Sequence, residues 1–139
     1  MDLIGRLHPL LIHFPISLVL VAAVAEAVAL TTGSARWRFL AWINVRGASL
    51  FGIGSALAGW HLAATIGLDG SSVLEWHRWA GTGAAGMATV AALVTVRWRK
   101  ASTARTLIYR ITLFGAAVLM AATGHLGGVL VWGADFLRP

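Results

Sequence analysis

Four long apolar runs set the limits on what this chain can fold into. They cover roughly residues 10–30, 40–66, 73–96 and 107–132. At 1.5 Å of rise per residue, about 20 residues cross about 30 Å of hydrocarbon, so each run is long enough to span a bilayer. Lipid offers no partner to backbone polar groups, and runs of this length must satisfy them internally, as helices. The segments between the runs are short. The expected architecture is all-α: an integral membrane bundle of four antiparallel transmembrane helices in one domain covering residues 1–139. Composition agrees, with 58% hydrophobic and 12% charged residues, against about half and about a quarter in soluble domains.

The chain has no cysteine. That excludes disulfides, cysteine-held iron–sulfur clusters, thiolate zinc sites and covalent c-type haem. The net charge of +6 does not point to nucleic acid, because the basic residues flank apolar runs instead of forming a stripe on a polar face. Arg36 and Arg38 follow the first run, and Arg97, Arg99, Lys100 and Arg105 follow the third. The opposite ends carry Arg6, Arg78 and Arg138, balanced by Asp2, Asp69, Glu75 and Asp135. By the positive-inside rule the basic loops face the cytoplasm and both termini are extracytoplasmic, in a multi-pass protein of the cell inner membrane. The tryptophans form two interfacial belts: Trp37, Trp42 and Trp98 at the inner end, Trp60, Trp76, Trp79 and Trp132 at the outer. The first run reads as a retained helix, since Pro15 and the histidines suit a signal peptide badly.

All five histidines share one end of this arrangement. His8 and His13 open the first helix, His61 lies near the end of the second, His77 near the start of the third and His125 near the end of the fourth. With helix directions alternating, every one falls at the outer end. Ser72-Val73-Leu74-Glu75 reads as a capping box that starts the third helix near Val73. Below His77 on the same face come Gly81, Ala84, Ala85 and Ala88, and Gly47, Gly54 and His61 fall seven apart on the second helix. Such small-residue stripes admit close helix packing, or a flat cofactor. His8-Pro9 reads as a cap and first turn, with Pro15 kinking the helix. Alternatively the helix proper starts near His13, with Pro15 in its first turn. Either form of irregular backbone belongs beside protein or a polar cavity. At the other end, Glu26 and Arg46 lie at similar depth on neighbouring helices and are expected to form a structural ion pair. Arg110 is placed to snorkel.

The ends of the chain carry a resemblance. Leu7-His8-Pro9-Leu10-Leu11-Ile12-His13-Phe14-Pro15 and Gly124-His125-Leu126-Gly127-Gly128-Val129-Leu130 resemble the opening and closing motifs of the bacterial membrane family called domain of unknown function 2231. Gly59-Trp60, the stretch from Trp76 to Gly81, and Gly133-Ala134-Asp135-Phe136-Leu137 are similar to a branch of that family joined to planctomycete-type cytochrome c domains. That branch often has a second histidine after the glycine pair, where this chain has Trp132. The resemblance implies electron transfer near the outer membrane face.

Three functions fit these observations. A b-type haem needs axial ligands from opposing helices in a dry pocket. His13, His61, His77 and His125 come from four helices at similar depth, with His77–His125 or His13–His61 the favoured pairs. An extracytoplasmic cytochrome c or other redox protein would be the partner. The same four imidazoles with His8 could instead hold copper or zinc, with Asp69, Glu75 or Asp135 orienting the rings. The third reading is a non-catalytic anchor or assembly subunit, its histidines a hydrogen-bonded network. A stand-alone enzyme has less support. No Ser-His-Asp order stands out, and Ser17, Ser49 and Ser55 read as helix-packing serines. The dinucleotide-like spacing of Gly81-Thr82-Gly83-Ala84-Ala85-Gly86 sits inside an apolar helix with no preceding strand.

Overall fold

The computed structural model describes residues 3–66, 71–96 and 102–136. Regular structure among them is entirely helical: α1 (Leu3–Leu11), α2 (His13–Thr32), α3 (Ala35–Ile66), α4 (Ser72–Val96) and α5 (Thr103–Trp132). Asp2, Asp69, Arg97, Trp98, Arg99, Lys100 and Arg138 lie outside the described residues.

The helices begin earlier than the apolar runs, because polar residues extend them. α1 starts at Leu3, so Pro9 is inside it and His8 is no cap. Pro15 has no N–H to offer the carbonyl of Leu11, and the helix is interrupted just there, at Ile12. Ile12 keeps helical angles and its N–H bonds to His8 O at 3.0 Å, so the break is one residue long. α2 then starts at His13 with Pro15 in its first turn, the second of the two forms expected. It ends at Gly33, whose φ of 69° puts it in the left-handed region while its N–H reaches Ala29 O. A side chain would be strained there, and glycine is not. The cap of α4 is Ser71 and not Ser72: the Leu74 N–H points to Ser71 Oγ at 3.4 Å and the Glu75 N–H to Ser71 O. Ser102 caps α5 in the same way through the Arg105 N–H.

Cross-helix pairs give the directions. Arg46–Thr95, Ser49–Thr89 and Trp60–Thr82 advance along α3 while retreating along α4, so these helices are antiparallel. Glu26 of α2 meets Tyr109 and Arg110 of α5, while Val19 and Met120 share a core cluster further along, in the same antiparallel sense. α2, α3, α4 and α5 close a ring, each packed on two neighbours, and α1 lies chiefly against α3.

The core is built of small side chains. Val19, Ala48, Ala84, Ala88, Ala116 and Met120 form one cluster, and Ala22, Val45, Ala91, Ala92, Tyr109 and Leu113 the next. The large aliphatics Leu50, Leu57, Leu93 and Val118 point outward instead. In water this would waste the hydrophobic effect. In lipid it does not, because helices there associate by close packing of small residues. Gly5–Thr32, Ser72–Val96 and Thr103–Trp132 are each long and apolar enough to cross a membrane. α3 has 32 residues, ample length. Arg36, Arg38, Asn44, Arg46 and its glycines dilute its apolar character, and it runs between two helices that meet both requirements.

The ion pair at the other end differs from expectation. Glu26 is fully buried and pairs with Arg110, whose Nε donates to Oε1 at 3.1 Å. Tyr109 donates its hydroxyl to the other oxygen at 3.4 Å. Arg46 faces the opposite neighbour and donates to Thr95 Oγ1 and Thr95 O. The helix α5 presents Arg110 to α2, so it does not snorkel, and α3 turns Arg46 toward α4.

Candidate functional site

The antiparallel ring brings the start of α2 and α4 and the end of α3 and α5 to one end, and α1 leans over it. The five histidines gather there as expected, but they are not equivalent. A cavity of about 750 Å³ opens between these helix ends, within the range of about 300–1,000 Å³ usual for small-molecule sites. His8, His13 and His77 line it; His61 and His125 do not. His125 is exposed and lies beside the ring of Phe136, with centroids 5.9 Å apart.

His8 and His77 meet across the cavity. Their ring centroids are 6.3 Å apart and the rings are perpendicular. The favoured pairs were His77–His125 and His13–His61; the partner that His77 meets here is His8. The reason is register: α1 begins at Leu3 and packs on α3, which carries His8 in beneath the helix ends. His8 Nδ1 lies 2.9 Å from Ser55 O, and His77 Nδ1 lies 3.0 Å from Thr123 O. A carbonyl only accepts, so each Nδ1 carries the proton and each Nε2 keeps its lone pair. Metal-binding imidazoles are commonly fixed in this way through their other nitrogen.

Two glycines make the space. A Cβ on Gly59 would stand 2.7 Å from His8 Cε1, and one on Gly127 would stand 3.2 Å from His77 Cε1. Gly52, Ser55, Ala56, Gly59, Trp60, Leu62 and Ala63 are the α3 residues that line the cavity, so the stripe of Gly47 and Gly54 is not the one that faces it. On α4, Gly81 and Ala85 line it while Ala84 and Ala88 continue into the core. Ser49 is a packing serine as read, bonded to Thr89 across the α3–α4 seam at 2.9 Å.

Sequence reasoning missed a polar group on the same wall. Arg78 stacks its guanidinium 3.9 Å over the ring of Trp60. Trp60 donates Nε1–H to Thr82 Oγ1, and Thr82 donates in turn to Arg78 O. The placing of Trp60 and Arg78 at one end was readable; their contact was not. No group of three or more His, Cys, Asp or Glu among the described residues is placed to hold a metal ion. The five-histidine copper or zinc set therefore does not assemble in this arrangement.

A family model described as "Predicted membrane protein (DUF2231)" matches residues 6–136. The chain belongs to that family. The DUF2231 match begins two residues before His8 and ends at Phe136, so it takes in every residue of the cavity wall. As a DUF2231 member with long apolar helices, the protein has a lipid bilayer as its environment. No curated protein and no solved structure matches it.

Proposed function

We propose that the cavity holds a b-type haem between His8 and His77, and that the protein is an electron-transfer subunit of the membrane. The observation that carries this is the His8–His77 pair. Two imidazoles binding one metal from opposite sides, with metal–nitrogen bonds of about 2.0 Å, have ring centres about 6.3 Å apart. The 6.3 Å separation fits that spacing. The Nδ1–H tethers leave the right nitrogen for ligation, and Gly59 and Gly127 clear the ring edges. Ligand count separates this reading from copper or zinc. Those ions take three or four protein ligands, whereas a haem brings its own equatorial nitrogens and needs only two axial ones. When bound, the haem would supply a one-electron iron couple. The cavity end is opposite the end that carries Arg36 and Arg38, so α3 crossing as a fourth span would place it on the extracytoplasmic side, with both termini. A cytochrome c or other redox protein would then dock at that face.

One observation favours a second reading, a non-catalytic anchor or assembly subunit. The same two hydrogen bonds tie α1 to α3 and α4 to α5, which is a structural service in itself. Absorption spectra of protein purified with haem supply decide between them. The haem reading expects a Soret band and sharp α and β bands on dithionite reduction, lost in His8→Ala and in His77→Ala and kept in His125→Ala. A featureless spectrum from folded protein would leave the anchor reading.

A further inference from the structure

Arg78 is a cation on the cavity wall, and a ligand there would meet its terminal nitrogens, since Nε is covered by the protein itself. Its Nε is buried and has no hydrogen-bond partner, and the residue lines the cavity. Burying a polar donor without a partner costs free energy, and more so on a charged group. The guanidinium is not loose either. Its central carbon sits 3.9 Å over the ring of Trp60, and Trp60 is itself fixed by Thr82, one turn on from Arg78. Trp79 packs edge-on against Trp60, with ring centroids 5.4 Å apart. A planar, pre-oriented guanidinium matches a carboxylate or phosphate, which can accept two parallel N–H bonds.

We infer that the cavity takes an amphiphilic ligand whose apolar body fills the space between the helix ends and whose carboxylate or phosphate binds Arg78. A porphyrin with acidic side chains and an anionic phospholipid both have this chemistry. The porphyrin source rests on the function proposed above; the lipid source does not. Arg78 follows His77 directly in the chain, so the ring and the guanidinium are carried by one turn of α4. The rest of the wall is largely apolar, with Ile16, Leu74, Ala85 and Met120 among its residues, as an apolar body requires.

The test uses the full chain in non-ionic detergent, as wild type, Arg78→Gln and Arg78→Lys. Each is titrated with haemin and with haemin dimethyl ester, whose carboxylates are masked, read by Soret absorption. Each is also incubated with phosphatidylglycerol, read by native mass spectrometry. If the carboxylate is the porphyrin's, wild type binds haemin about tenfold or more tighter than the ester, and Arg78→Gln abolishes the difference. If the phosphate is a lipid's, wild type retains phosphatidylglycerol, Arg78→Gln loses it and Arg78→Lys keeps part of it. Either result supports the assignment of Arg78. Lipid retention without any Soret band would sink the haem reading and leave Arg78 standing. Equal binding of haemin and its ester, with lipid retention unchanged in Arg78→Gln, would overturn the Arg78 assignment and leave the haem reading intact. Circular dichroism reports whether Arg78→Gln folds; where it does not, Arg78→Lys carries the comparison.

Discussion

At the scale of single residues, the cavity depends on what is missing as much as on what is present. Gly59 is in closer contact with His8 than Gly127 is with His77. Gly59→Ala should therefore displace its ring and cost most of the haem occupancy, and Gly127→Ala should cost less; the two Soret absorbances at equal protein concentration check the order. The buried carboxylate gives a second comparison. Arg110→Ala strands Glu26 without its cation and should destabilise the bundle by about 3–5 kcal/mol. Arg46→Ala loses the Thr95 bonds and should cost less, about 1.5–3 kcal/mol. Thermal or denaturant unfolding in detergent separates the two. The one-sidedness of the histidines was readable from the order of the apolar runs alone. The pairing was not. It depends on how far α1 extends before the first apolar run, and on carbonyls at Ser55 and Thr123, which no side-chain pattern reveals. Likewise depth along a helix was readable for Glu26 and Arg46, but the direction each faces around its helix was not.

At the scale of elements, the interruption at Ile12 deserves a test of its own, since it separates the helix that carries His8 from the one that crosses the bundle. Pro15→Ala restores a donor to the carbonyl of Leu11 and lets α1 and α2 run as one helix. The expected outcome is unchanged or higher thermal stability with a weakened or shifted Soret band, because His8 moves relative to His77. A wild-type spectrum would mean that the break has no part in placing His8. The break itself was foreseeable from Pro15, and its one-residue length was not, because it depends on the Ile12 N–H finding His8 O. Helix starts were read late at the second and fourth runs, where α3 begins at Ala35 and α5 at Thr103. Apolar character marks where lipid begins, whereas Ser71 and Ser102 mark where the helices begin, in the water-facing margin.

At the scale of the whole molecule, the fold class followed from run length and lipid chemistry before any contact was known, because those constraints do not depend on side-chain detail. The cavity did not follow. Small-residue stripes promise close packing everywhere, and nothing in them marks the part that lines open space. Orientation in the membrane is measurable directly, since the chain has no cysteine of its own. Ser34→Cys and Ser71→Cys lie at opposite ends of the bundle. With the basic end inside, an impermeant maleimide added to intact cells should label position 71 and not position 34. The reverse pattern would put the cavity on the cytoplasmic side.

The shortest contacts that orient the two imidazoles are to main-chain carbonyls, which every amino acid has, although the Ser55 hydroxyl also stands 3.5 Å from His8 Nδ1. A lineage can exchange Thr123 for another residue of similar size without losing the tether, and Ser55 at the loss of its longer hydroxyl contact alone. Selection acting on this cavity would then bear on His8, His77, Gly59 and Gly127, and drift would be visible at the very positions that supply their hydrogen bonds.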